Sequence, residues 1–409
     1  MVTVRLAVLV LALALLPIKA SAESELVAYV AHALDLIERH ALAGGAVDWP
    51  THRAAVLARA AKADTPEAAY ALIDETLARL GDRHSRLQRP RAPRAGVANG
   101  AAGGFAGARL DADSLTVLAV YPHSPAEAAG LARGDRILRV DGEAVTPGNA
   151  RALHAAASRV GSRLLVRAAD GATNAVTTTP REFRSGLPPA AYSLTERLAV
   201  LELPAHSGAG LVPGVGDYAR LAHDGLAAHA GACGWVVDLR LNAGGNMWPM
   251  LAAAAPLLGE GELGGFVLKD GERWAWTYGH GTVRADGVAM ARAPGAPALA
   301  PLPPVAVLTS RLTASAGEAL VVAFRGRSGA RSFGEATAGV PTVNRTFPLQ
   351  DGATLLLTVG RFADRYGRTY EEPLEPDEEL PLAWDAYGTP ADPLLKAASA
   401  WLLSQPGCQ

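Results

Sequence analysis

Ser315 and the glycine pair Gly244 and Gly245 are the residues of this chain whose setting could support covalent chemistry. Ser315 stands in T-A-S-A-G-E, residues 313–318, behind the apolar run P-V-A-V-L-T. The glycines close D-L-R-L-N-A-G-G, residues 238–245, which opens from W-V-V-D-L. Both runs are rich in β-branched residues and lead into apolar stretches, so each reads as strand, tight turn and helix. A hydroxyl at a helix start is a candidate nucleophile, and paired glycines bare backbone N–H groups to a ligand. On neighbouring strand ends they form the two halves of an acyl-transfer site. Ser315 and Glu318 also have the spacing of a capping box, whose everyday role is to satisfy orphan helix amides.

The elements that must position these loops read in three blocks, preceded by a leader. Residues 1–22 carry Arg5, an apolar run and Ala20-Ser-Ala22, the pattern of a signal peptide with its cleavage site. Removing it leaves 36 basic against 40 acidic residues, a balance that argues against nucleic acid as a partner. No later apolar segment is long enough to span a bilayer. Cys233 and Cys408 are the only cysteines, and export would permit them to pair. Neither C-x-x-C nor H-E-x-x-H occurs, so no metal or cofactor is expected. Residues 23–92 read as helical: Ile73, Leu77 and Leu80 recur at i, i+4 and i+7 behind Thr65 as N-cap and Pro66 at the first helical position. Gly81 stops that helix, and His84 lies just beyond.

Residues 90–100 form a Pro/Gly/Ala-rich linker. Then comes S-P-A-E-A-A-G-L-A-R-G-D-R-I-L-R-V-D-G, residues 124–142, with Ser124 and Glu127 spaced as a capping box, Gly130 as a helix stop and Asp141-Gly142 as a hairpin turn. This run closely resembles a PDZ domain, assigned to residues 93–185. The resemblance implies that the preceding segment, Gly104, Phe105, Ala106 and Gly107, holds the loop that captures a peptide carboxylate. From residue 186 to 409, strands at 198–203, 234–239, 305–309 and 355–359 alternate with helical stretches, the pattern of an α/β domain with a mainly parallel sheet. Ligands in such sheets gather at strand C-terminal ends, where Gly244, Gly245 and Ser315 fall.

Taken in order, D-L-R-L-N-A-G-G, T-A-S-A-G-E, G-E-A-T-A-G at 334–339 and L-E-P-D at 374–377 resemble the C-terminal processing (tail-specific) serine peptidases and their tricorn-like relatives. The resemblance implies a multidomain α/β protein: a helical N-terminal domain, a PDZ domain and a catalytic domain of the ClpP/crotonase kind. It further implies a serine endopeptidase acting on protein or peptide substrates, with Ser315 as nucleophile, and the leader pattern adds that it is exported. Ala316 and Gly244 or Gly245 would supply the oxyanion hole.

In the tail-specific branch the base is a lysine after the G-E-x-T-x-G turn. Here the turn continues Gly339-Val340-Pro341, and Lys62, Lys269 and Lys396 all lie far from it. The tricorn-like branch uses histidine instead, which points to His84 in L-G-D-R-H-S-R-L, with His206 and then His280 behind it. An imidazole, with an ordinary pKa of about 6.5, can take and return a proton near neutrality. By the same resemblance the orienting acid is Glu371, or its neighbour Glu372, and a relay serine precedes the histidine. Arg83 occupies that place here and Ser85 follows the histidine instead. The second reading is a binding protein on the same fold, holding peptides or apolar ligands without proteolysis.

Overall fold

The structure, a computed structural model of the 409-residue chain, describes residues 19–90, 106–181, 183, 186–208, 211–212 and 216–409. The first 18 residues of the expected leader, and Gly104 and Phe105, lie outside them. The chain divides into two compact units, residues 1–90 with 344–358, and residues 91–343 with 359–409.

The first unit packs three helices, Lys19–His40, Trp49–Ala60 and Pro66–Ala78, around Val30, Leu34, Val56, Ala60, Ala69 and Leu72. The third helix starts as its sequence demands: Thr65 Oγ1 accepts from the Ala68 N–H at 3.3 Å and Pro66 takes the first turn. Gly81, at φ 69°, releases the chain from the helix. Arg86–Gln88 then pairs antiparallel with Thr354, Leu355 and Leu356.

The second unit contains the PDZ-like part. Leu115, Val117, Ile137, Val140, Leu164 and Val166 fill its core beneath the strands Arg136–Val140, Arg163–Arg167 and Thr173–Thr177. Asp141 and Gly142 both have positive φ, 49° and 92°, as a two-residue hairpin turn requires. Ser124 Oγ accepts from the Glu127 N–H at 3.1 Å, but the Glu127 carboxylate takes the His123 N–H at 2.7 Å rather than that of Ser124. The reciprocal half of the expected box is displaced because the Ser124 N–H already donates to the Tyr121 carbonyl at 3.3 Å.

The rest of this unit is built on a six-stranded sheet. Leu198–Glu202, Gly234–Asp238, Val305–Thr309 and Ala330–Gly334 run parallel in that spatial order, joined by Glu378–Glu379 at one edge and antiparallel Ala190–Ser193 at the other. Trp235, Val237, Val305 and Val307 pack in one core with residues of the helices Tyr218–Ala228, Met247–Leu258 and Ala316–Phe324. Val236, Ala306 and Leu308 pack in another with the helix Pro393–Leu403. Apolar cover on both faces explains why these strands are continuous hydrophobic runs. Between the helix Met247–Leu258 and the strand Val305–Thr309, four antiparallel strands intervene, Gly261–Leu268, Arg273–Gly279, Thr282–Ala285 and Val288–Arg292. Cys233 and Cys408 form a disulfide that ties the tail to the start of a central strand. Among the described residues no helix is long and apolar enough to cross a membrane.

Candidate active site

The loops after Gly234–Asp238 and Val305–Thr309 leave adjacent parallel strands, so their first residues emerge side by side. Hydrogen bonds then lace them together. The carbonyls of four consecutive residues, Leu239, Arg240, Leu241 and Asn242, each accept a bond. Thr313 Oγ1 donates to Leu239 at 2.9 Å, Ser310 Oγ to Arg240 at 2.7 Å and the Ala314 N–H to Asn242 at 2.9 Å. The fourth donor, to Leu241 at 2.7 Å, is the guanidinium of Arg109 from the PDZ-like part. Arg311, from the serine loop, approaches Asp111 and Asp113 of the same part at 3.8 and 3.5 Å.

This lacing brings Gly244 against the serine. A Cβ at Gly244 would lie 2.8 Å from the Ala314 carbonyl oxygen and 2.9 Å from Ser315 Cβ, and its φ of 96° independently favours glycine. Ser315 begins the helix Ala316–Phe324 with φ 52° and ψ −114°, a conformation that non-glycine residues seldom adopt. It is held there by Glu318, whose Oε2 accepts the Ser315 N–H at 2.7 Å. Sequence reasoning placed Glu318 only in a capping box. In the fold it is fully buried and also receives Thr337 Oγ1 at 2.6 Å and the Gly339 and Val340 N–H groups at 2.9 and 3.2 Å on Oε1. Burial pushes its carboxyl above the ordinary range, while these hydrogen bonds pull the other way.

The two glycines differ in what their amides do. The Gly244 N–H donates to Asn242 Oδ1 at 3.0 Å. The Gly245 and Ala316 N–H groups have no acceptor among the described residues. Asn242 is fully buried and anchored by its Nδ2 to the Leu203 carbonyl at 2.9 Å, so the Gly244 amide is held in place.

Beneath the loop, Arg240 is buried between Asp238 and Asp392, with Nη to carboxylate distances of 2.7 Å to each, and lies 4.4 Å from the Tyr387 ring centroid. Asp392 also caps the helix Pro393–Leu403 through the Leu394 N–H at 3.0 Å. Asp392→Ala therefore strips a buried cation of a partner and removes a cap. The expected loss is about 3–5 kcal/mol, seen as a lower urea midpoint at unchanged slope.

His84 belongs to the first unit. Asp82 shapes its turn: Oδ1 accepts the His84 and Ser85 N–H groups at 3.1 and 2.8 Å, and Oδ2 accepts Ser85 Oγ at 2.6 Å. Ser85 Oγ in turn accepts the Thr358 N–H at 3.0 Å, so this hydroxyl braces the turn. Arg83 takes φ 55° to make the bend. Burial, reinforced by Arg86 and opposed by Asp82, brings the half-buried imidazole down to about 4, leaving it neutral near pH 7.

His206 lies in the second unit, where its carbonyl accepts the Asn246 N–H at 2.6 Å beside Gly245. Its ring packs 4.8 Å from Tyr218, and its buried Nε2 has no hydrogen-bond partner among the described residues. Burial lowers its pKa, with Asp217 opposing. His280 is exposed in a tight turn at φ 50°. Glu371 is exposed and pairs with Arg361 Nε at 2.6 Å, and Glu372 is exposed beside it. In the expected carboxylate loop, the Ala106 N–H donates to the Ser158 carbonyl at 2.8 Å, and Gly107, at φ 84°, packs directly on Ser124.

Residues 198–380 match peptidase family S41, and residues 116–166 match a PDZ domain. The carboxyl-terminal-processing protease of a Synechocystis species is 29% identical over 355 residues, 81% of this chain and 76% of that one. The nisin-resistance protein of Lactococcus lactis subsp. lactis is 32% identical over 145 residues, 35% of this chain and 45% of that protein. This chain's match thus spans less than half of that relative's length. A solved structure, the photosystem II D1 C-terminal processing protease, has the same fold, with TM-score 0.54, 21% identity and coverage of 94% of this chain and 98% of that one.

An α/β sheet with a serine elbow at its strand ends, an S41 match and a PDZ match define a class, the serine-type peptidases with an accessory PDZ domain. Within that class residues 198–380 form an S41-type peptidase domain, and the chain is similar over most of its length to the carboxyl-terminal-processing proteases.

Proposed function

We propose that this peptidase is exported, recruits protein or peptide substrates through its PDZ domain, and cuts them with a Ser–His–Glu relay instead of a serine–lysine pair. The observation that carries this reading is the elbow at Ser315, strained at φ 52° and set next to Gly244, with the Gly245 and Ala316 amides uncommitted among the described residues. Ser315 Oγ attacks the scissile carbonyl, and the Gly245 and Ala316 N–H groups receive the oxyanion, each good donor contributing about 3 kcal/mol. His84, neutral near pH 7, takes the hydroxyl proton and returns it to the leaving amine. Glu371 orients the imidazole, with Glu372 as the neighbouring candidate. His84 is favoured over His206 because a general base must meet solvent and substrate, and His206 is only 4% exposed. The leader pattern and the Cys233–Cys408 disulfide support an oxidising, extracytoplasmic compartment.

In this reading the PDZ domain also completes the catalytic loop, since Arg109 donates to the Leu241 carbonyl immediately before Asn242 and the glycines. Arg109→Met should lower kcat for a short chromogenic peptide about tenfold, the worth of one charge-assisted hydrogen bond. An unchanged rate would leave the PDZ domain as a tether. Capture of a substrate's C-terminus predicts that a peptide acid binds the full chain more tightly than its amide, and equal affinities would exclude it.

A further inference from the structure

Glu318 links three motifs that are far apart in sequence. Its Oε2 holds the Ser315 amide at 2.7 Å, and its Oε1 accepts Thr337 Oγ1 and the Gly339 N–H of the G-E-A-T-A-G turn at 2.6 and 2.9 Å. Thr337 Oγ1 then accepts the Leu374 N–H at 2.9 Å, at the head of L-E-P-D. The turn that carries a lysine in the tail-specific branch therefore serves here as a cradle of donors around a buried carboxylate. No ion pair to Glu318 occurs among the described residues, so backbone amides and one hydroxyl solvate it. Converging N–H and O–H donors demand an acceptor with lone pairs on both oxygens, which a carboxylate has and an amide lacks.

From this we infer that Glu318 is a positioning residue for the acyl-transfer step: it locks Ser315 at positive φ and thereby aims the following amide, Ala316, at the developing oxyanion. The inference rests on Ser315 being the nucleophile. A serine released from that conformation would turn its Oγ and the next N–H away together, so transition-state stabilisation would fall while ground-state substrate binding, made elsewhere, would not.

The test compares wild type with Glu318→Gln, a near-isostere that presents an NH2 group to the same donors. Three quantities are read: kcat and KM on a chromogenic peptide, the rate of fluorophosphonate labelling, and the circular dichroism spectrum. We expect kcat and the labelling rate to fall at least a hundredfold together, KM to change less than threefold, and the spectrum to be retained. A folded Glu318→Gln chain with kcat within threefold of wild type overturns the inference. Should that variant not fold, Thr337→Val, which removes one donor and keeps the Ser315 bond, decides: about a tenfold loss in kcat at constant KM supports the inference, and an unchanged kcat overturns it. Failure of the underlying reading is separately visible, because a folded wild-type chain would then take no label on Ser315.

Discussion

Ser315→Ala should reduce peptide hydrolysis by about 10⁴-fold or more while moving thermal unfolding by only a few degrees. The expected loss is large because in the proposed mechanism this hydroxyl is the reacting atom, and the Thr313 and Ser310 hydroxyls of the same loop are committed to the Leu239 and Arg240 carbonyls. The structural cost is small because Ser315 is locked through its backbone N–H, bonded to Glu318 at 2.7 Å, and alanine keeps that N–H. Turnover and a thermal melt on the same purified variant check both halves. Activity near the wild-type level in the alanine variant would remove Ser315 from the mechanism.

His84→Gln should cost nearly as much, about 10³-fold or more in kcat/KM, because glutamine can neither take nor return the proton. Variants at Lys62, Lys269 and Lys396 should retain full rate. The pH profile carries independent information. Burial and Arg86 disfavour the imidazolium and bring His84 to about 4, so in the proposed relay the neutral base persists down to that pH. As pH falls through about 4 the ring is protonated and kcat/KM of the free enzyme should fall with it. An ordinary histidine would show this limb near 6.5, so its position separates a buried base from an exposed one. The same ring contributes an acid sensitivity to stability. An unfolded-state histidine binds its proton near 6.5, so folding is progressively disfavoured between that pH and about 4. If His84→Gln is active and His206→Gln is not, the base lies at the buried histidine beside Gly245.

Much of this site was legible in the residues because its signals are local. Thr65 and Pro66 start a helix, Asp141 and Gly142 turn a hairpin, and the two strand–turn–helix motifs lie on neighbouring parallel strands, each because a short stretch contains its own cause. Other features were hidden because they depend on partners remote in sequence. Which glycine keeps a free amide is decided by Asn242 Oδ1, which occupies the Gly244 N–H. That Ser85, which follows the histidine, braces the turn is visible only once Asp82 and Thr358 are seen to hold its hydroxyl. Glu318 looks like half of a capping box until the turn at Thr337 and Gly339 closes over it. Arg240 gives no hint in sequence that Asp392, 152 residues later, will neutralise it.

The antiparallel strands between residues 261 and 292 illustrate a third case, a signal present but outweighed. Asp270-Gly271 and Asp286-Gly287 are hairpin turns, and Gly271, Asp286 and Gly287 take φ of 86°, 45° and 80°. The reading of a strand–helix alternation passed over them because the flanking strands, such as Arg273–Gly279, are not continuous apolar runs: buried Trp276 and Tyr278 alternate with the less buried Ala275, Thr277 and Gly279. A sheet with one face packed and one open alternates in this way.

The central claim, that Ser315 is an activated nucleophile, is tested most directly by treating the folded full-length chain with a fluorophosphonate and locating the adduct by peptide mass spectrometry. The account predicts a single adduct on Ser315, absent in Ser315→Ala and formed far more slowly in His84→Gln. A folded chain that takes no adduct, or one whose adduct persists elsewhere in Ser315→Ala, would contradict it.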